Sequence, residues 1–191
     1  MDPSVLNEHS VPLVRRVVPD DWAALRGMRL EALRDEAASI AFLETHEQAA
    51  ARPDAFWRDR AAGASSGAGV AQFVAISDAV AWVGSASGLR EEPGTDDWAG
   101  HPIEHLQVHV VGVWVHPDHR GVGLLGRLVD AVRDWGSEHG VHRVRLLVHE
   151  DNARARAAYR KLGFTPTGAT VPLEAGIEIE MAFDEGRDVG P

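Results

Sequence analysis

The run VWVHPDHRGVGLLGRLVDAV, residues 113–132, limits the folds open to this chain more than any other stretch. It ends a long apolar segment, LQVHVVGVWV at 106–115, suited to the centre of a sheet, and leads into Leu124, Leu125, Leu128, Val132 and Trp135 at helical spacing. A strand, a glycine turn and a helix in that order place the unpaired N–H groups of the helix's first turn at a strand end. Gly121 and Gly123 would let an anion approach those groups closely. Arg120 adds a forked cation beside them. The stretch therefore reads as a cradle for a phosphate or pyrophosphate on an α/β sheet.

Gly121, Gly123 and Gly126 also spell G-x-G-x-x-G, the pattern of a dinucleotide-binding turn. That fold needs the strand to run tightly into the first glycine, yet His116-Pro117-Asp118-His119-Arg120 intervene. It also needs several β-α units afterwards, whereas HRVRLLVHE at 142–150 is followed by one helix and one hairpin. The glycines serve a pyrophosphate without implying a nicotinamide, and Gly126 falls outside the site.

Around this centre the chain reads as β-α-α-β-β-β-α-β-α-β-β. PLVRRVV at 12–18 is a strand, PDDW opens a helix carrying Trp22, Leu25 and Met28, and a less regular stretch leads to a second helix with Phe56 and Trp57. VAQFVAI and AVAWVGSAS make a hairpin, residues 90–102 an exposed loop, NARARAAYRKLGF a helix stopped at Gly163, and residues 164–183 a closing hairpin. The expectation is a mixed sheet of six to seven strands with helices on both faces. One domain accounts for residues 1–191, with its core at about 12–184.

Two segments carry a family resemblance. Residues 113–132 resemble motif A of the GCN5-related N-acetyltransferases (GNAT), a strand followed by x-P-x-x-R-G-x-G-x-[GA]-x-x-L on a helix. NARARAAYRKLGF resembles their motif B, N-x-x-A-x-x-x-Y-x-x-x-G-F. The resemblance implies the GNAT fold and an acetyl-CoA-dependent transfer to a primary amine of a small molecule, within a ternary complex. It implies that Arg120, Gly121, Val122 and Gly123, with the amides of Leu124 and Leu125, hold the pyrophosphate. Val113, Trp114 and Val115 would pair with the pantetheine arm like an added strand. Asn152 matches the motif B residue that meets the cofactor arm, and Tyr159 matches the general acid. Leu125 departs from the pattern, which has Gly or Ala there. Its side chain either turns onto the sheet or crowds the phosphates. The second course would leave a CoA-binding sensor or partner-binding domain, and a protein or peptide amine is the other alternative acceptor.

The chemistry selects residue types. A phenol can protonate a departing thiolate, and Tyr159 is the chain's one tyrosine. His109, on the central strand and by alternation on the face of Val111, Val113 and Val115, is the candidate base, with Glu104, His105 or water as alternatives. No cysteine exists to carry an acetyl group or bind a metal. His101, His105 and His109 would align on a helix but disperse along a strand, so no metal is expected. The basic residues Arg143, Arg145, Arg154, Arg156 and Arg160 read as a solvated face. A net charge of −10 disfavours nucleic acid and anionic membrane and mildly favours a cationic acceptor. With no secretory signal or spanning segment evident, a cytoplasmic bacterial protein is expected, with a homodimer allowed. Phe42, Trp57 and Trp98 are the aromatic candidates for an acceptor pocket.

Overall fold

The computed structural model describes residues 11–79 and 81–184. Seven strands form one sheet in the order β1-β2-β3-β4-β5-β7-β6. They are β1 (Leu13–Arg16), β2 (Val70–Ile76), β3 (Trp82–Glu91), β4 (Gln107–Val115), β5 (Arg143–His149), β6 (Thr165–Leu173) and β7 (Gly176–Asp184). Only β4 and β5 pair in parallel; the other five pairings are antiparallel. The expected mixed sheet is present, and the irregular stretch before the second long helix contains two short helices. The helices are α1 (Trp22–Ala32), α2 (Ala38–Ala41), α3 (His46–Ala50), α4 (Asp54–Ser65), α5 (Leu124–Glu138) and α6 (Ala153–Lys161). No helix among the described residues is long and apolar enough to cross a membrane.

Local chemistry sets the helix ends. Pro19 begins a short 3-10 turn before α1, where Asp21 accepts from the Val18 N–H at 2.8 Å and from Arg15 at 2.6 and 2.9 Å. Thr45 and Gln48 form a reciprocal capping box on α3. Asn152 caps α6, accepting from the Ala155 N–H at 3.1 Å.

Each face of the sheet has its own core. On one face α5 lays Leu124, Leu128, Val132 and Trp135 against Ala71, Ala75, Ala86, Val108 and Val110, and α6 adds Tyr159. Burying a leucine or valine there contributes about 1.5–3 kcal/mol each. Gly88 sets how closely α5 sits on β3, since a Cβ there would lie 2.8 Å from Val132 Cγ1 and 2.9 Å from Trp135. On the other face α1 and α4 pack Leu25, Met28 and Trp57 against Val74 and Trp114.

Candidate active site

The site begins where two central strands separate. β4 runs to Val115 and β5 to His149, but their parallel pairing covers only Val108↔Val144, His109↔Arg145 and Val110↔Leu146. Beyond Val110 and Leu146 the strands splay, which leaves backbone N–H and C=O groups on both inner edges free of strand partners. On its other side β4 carries a bulge. From Ser85↔Trp114 to Ser87↔Val111, β3 advances two residues and β4 three. Gly112, at φ +60, takes up the extra residue, and its carbonyl accepts from Ser85 Oγ at 3.1 Å.

The bulge reverses the alternation. Val108 and Val110 face α5, whereas Trp114 belongs to the opposite core with Leu25 and Trp57. Val113 and Val115 pack toward the α5 side. His109 therefore shares its face with Trp114 and not with Val113 and Val115. This corrects the strict alternation read from the sequence, which has no account of the inserted residue.

A cleft of about 660 Å3 runs through the splay. Val113, Trp114, Val115, Arg120, Gly121, Gly123, Leu124, Leu125, Asn152 and Tyr159, all singled out from the sequence, line it together. Val122 does not line it; its side chain points to solvent at 70 % exposure. Leu125 is half-buried and packs against the α5 core while also lining the cleft. Gly126, read as outside the site, belongs to the cleft wall. A Cβ there would press Leu162 at 3.3 Å, so this glycine lets α6 come close to the start of α5.

The start of α5 is an open donor array. Gly121 and Gly123 take φ +79 and +83, and no side chain caps the helix at Gly123. The first-turn N–H groups thus lack an internal acceptor and carry the positive end of the helix dipole. His119, Arg120, Arg154 and Lys161 line the same cleft. The Arg120 guanidinium, however, is already engaged. Its Nε donates to the Val115 carbonyl at 2.9 Å, and its terminal nitrogen donates to Asp35. Asp35 also accepts from Trp114 Nε1 at 3.2 Å and the Ala37 N–H at 3.1 Å. Burial alone would raise the Asp35 carboxyl; the bonds from Ala37, Arg120 and Trp114 outweigh it and hold the group below the usual carboxylate range. Arg120 thus ties the glycine loop to the end of α1, a partner the sequence reading missed because it lies 85 positions away.

Tyr159 lines the cleft from α6 and is 8 % exposed. Burial pushes its phenol well above the ordinary tyrosine value, so the hydroxyl keeps its proton. His109 is placed elsewhere. It is 2 % exposed, does not line the cleft, and its Nδ1 lies 3.1 Å from Glu91 Oε1. Glu91 is ionised and can only accept, so Nδ1 carries the proton of this bond. With Nδ1 committed to Glu91 and the ring off the cleft lining, His109 is not placed beside the cleft as the sequence reading expected. Glu104 and His105 are exposed and also lie off the cleft.

Glu91 and His109 belong to a buried network around Arg145. Arg145 donates to Glu91 at 2.8 and 2.8 Å, to Glu180 at 2.9 Å and to Asp97 at 3.1 Å. Burial opposes ionisation of Glu91, but the bonds from His109 and Arg145 bring it down to about 2. Arg143 donates to Gln107 at 3.0 Å and to Asp184 at 2.9 Å. The expected solvated basic face is thus, at Arg143 and Arg145, a set of ion pairs pinning the loop after β3 across the sheet. Of the three aromatic candidates Phe42 lines the cleft, Trp57 is fully buried in the α1–α4 core, and Trp98 is half exposed away from it. Among the described residues no group of three or more His, Cys, Asp or Glu side chains is arranged to hold a metal.

Comparison with known proteins agrees with this fold. The model of the acetyltransferase (GNAT) family matches residues 30–164. A mycothiol acetyltransferase of Beutenbergia cavernae is 45% identical over 60 residues, which span 31% of this chain and 20% of that protein. Among solved structures, a GNAT superfamily phosphinothricin acetyltransferase from Sinorhizobium meliloti, in complex with AcCoA, superposes with a TM-score of 0.68 at 18% identity, covering 95% of this chain and 93% of that one. A GCN5-related N-acetyltransferase from Kribbella flavida gives 0.65 at 21% identity, over 91% and 98%. At such identities these likenesses speak to the fold.

Proposed function

The chain belongs to the acetyltransferase (GNAT) family, and from that premise we propose that it moves an acetyl group from acetyl-CoA directly to a primary amine of a small molecule, acting as a single domain with its core at residues 12–184. The observation that carries this reading is the splay of β4 from β5 opening onto the uncapped start of α5. An extended amide-bearing arm finds unpaired strand edges in the splay, and a pyrophosphate finds free N–H groups at Leu124 and Leu125 beside two glycines with no side chains. The residues present fit acetyl-CoA in kind as well as in place. When bound there, acetyl-CoA supplies the activated acyl group as a thioester.

The chain's own residues do the rest. The first turn of α5 offers donors and a favourable dipole to the phosphates. Arg120, spent on Asp35 and Val115, holds the loop in the shape that presents those donors and acts as a positioning residue. Val113 and Val115 present an extended edge to the arm, and Asn152, whose oxygen caps α6, has its amide N–H groups left for it. Tyr159 holds a proton at the cleft wall. In this desolvated slot the emerging sulfur is raised in basicity by the burial that raises the phenol, so the hydroxyl remains a competent donor. Direct transfer follows from the absence of any cysteine to accept the acetyl group. The packing of Leu125 against the α5 core supports an accessible cradle over the reading as a catalytically weak sensor.

The test is calorimetric titration with acetyl-CoA combined with thiol release over a panel of amines. Tyr159→Phe is expected to lower kcat by about 10²–10⁴-fold, the usual worth of a general acid. Its affinity for acetyl-CoA should stay within about threefold, since the phenol acts on the departing sulfur and not on ground-state binding. An unchanged kcat would remove Tyr159 from the acid role.

A further inference from the structure

The cleft is electrically divided. Its cationic side chains, Arg120, Arg154 and Lys161, belong to the loop before α5 and to α6, where the phosphates are placed. The opposite wall is apolar, built from Ala38, Ile40, Ala41 and Phe42 together with Val111 and Leu147. One further carboxylate lines the cleft besides Asp35, and it is Glu178 on β7.

Glu178 differs from every other carboxylate on this face of the sheet. Glu91, Asp97 and Glu180 are all paired with Arg145, Asp184 with Arg143, and Asp35 with Arg120. Glu178 is half-buried and has no hydrogen-bond or ion-pair partner among the described residues. Its neighbour across the β5–β7 ladder is His149, and that ring is fully committed. Nδ1 accepts from the Asp151 N–H at 3.2 Å, which leaves Nε2–H to donate to the Ala175 carbonyl at 2.9 Å. The ring also lies against Gly176, where a Cβ would come within 2.9 Å of Cε1. This packing fixes the β6–β7 turn and so fixes Glu178 at the cleft. A half-buried carboxylate without a cation carries a desolvation cost that a bound ammonium would offset. Burial accordingly pushes the Glu178 carboxyl up from its ordinary value.

Resting on the acetyltransferase reading, we propose that Glu178 is the acceptor-recognition residue, receiving the ammonium of a monoamine whose body is compact and apolar. The single unmatched carboxylate sets the charge of the acceptor at one. The apolar wall sets the character of its body. The same lining argues against a carboxylate next to the amine. Arg29 is stacked on Phe42 at 4.3 Å and directed to Glu44, and neither it nor Arg60 lines the cleft. An α-amino acid would bring a second carboxylate beside Glu178, a like-charge contact in a half-buried place.

The experiment compares phenethylamine with phenylalanine, which share the apolar body and differ by one carboxylate, in the wild-type chain and in Glu178→Gln and Glu178→Asp. Thiol release is read as KM and kcat separately, and acetyl-CoA affinity by calorimetry. Phenethylamine should exceed phenylalanine at least tenfold in kcat/KM. Glu178→Gln should raise KM for phenethylamine at least tenfold while acetyl-CoA affinity stays within twofold. Glu178→Asp, keeping the charge, should recover part of the KM. Preference for phenylalanine, an unchanged KM in Glu178→Gln, or an inert phenethylamine with acetyl-CoA bound would each overturn the assignment of Glu178. A wild-type chain that does not bind acetyl-CoA would instead overturn the acetyltransferase reading beneath it.

Discussion

Replacing Arg145 by Met tests whether the buried charge network is a single electrostatic unit. Methionine keeps most of the length and apolar stem of the arginine, so the change removes charge and donors more than volume. Three carboxylates, Glu91, Asp97 and Glu180, then lose their shared partner at a position only 5 % exposed. The native bonds hold Glu91 at about 2 in place of 4.5. At about 1.4 kcal/mol per pKa unit the whole lowering corresponds to about 3 kcal/mol at neutral pH, of which the variant keeps the part carried by the His109 bond. Asp97 and Glu180 lose the same partner, and removing one member of a buried ion pair costs about 3–5 kcal/mol. For a chain of this size the expected fall in Tm is about 6–20 °C. The sign of the pH dependence is also set. A carboxylate lowered on folding contributes stability that is complete above its unfolded value and disappears as pH falls through about 2. The deficit of the variant should be full at pH 7 and shrink steadily below about pH 4.5. Urea melts followed by fluorescence of the six tryptophans would measure it. A deficit under about 1 kcal/mol at pH 7, or one that does not narrow in acid, would show that the carboxylates find other partners and that the network reasoning is wrong.

Two further substitutions separate packing from chemistry. Gly88→Ala places a methyl 2.8 Å from Val132 Cγ1 and 2.9 Å from Trp135 Cζ3, so it should cost about 1–3 kcal/mol in the same melts; a neutral result would mean that α5 lifts from β3 freely. His109→Ala takes one partner from Glu91 but leaves both bonds from Arg145. It should lose about 1–3 kcal/mol of stability while the pH profile of kcat/KM between about 6 and 8 keeps its shape. Loss of a limb from that profile would return His109 to the proton path.

How far the sequence reaches is clearest at the cradle. Gly121, Gly123 and the apolar stripe of α5 are local, because a positive φ, an uncapped first turn and a 3.6-residue period are properties of neighbouring residues. Tyr159 and Asn152 were likewise legible from their spacing on one short helix. Arg120 was found, but its partner Asp35 was not, since nothing near either residue announces a contact made across the cleft. Arg143 and Arg145 looked solvated because their carboxylates come from β3, the following loop and β7.

What the sequence by itself determined is therefore the order of elements, the glycine turn before α5 and the phenol on α6. What only the tertiary structure decided is which face each strand residue occupies at the site. One inserted residue at Gly112, visible only in the pairing of β4 with β3, puts His109 on the face of Trp114 and not on that of Val113 and Val115. The β5–β7 register and the packing of His149 on Gly176 bring Glu178 to it. Alternation along a strand gives a residue's parity, but a bulge changes that parity, and bulge and register are both set by hydrogen bonds to strands distant in the chain.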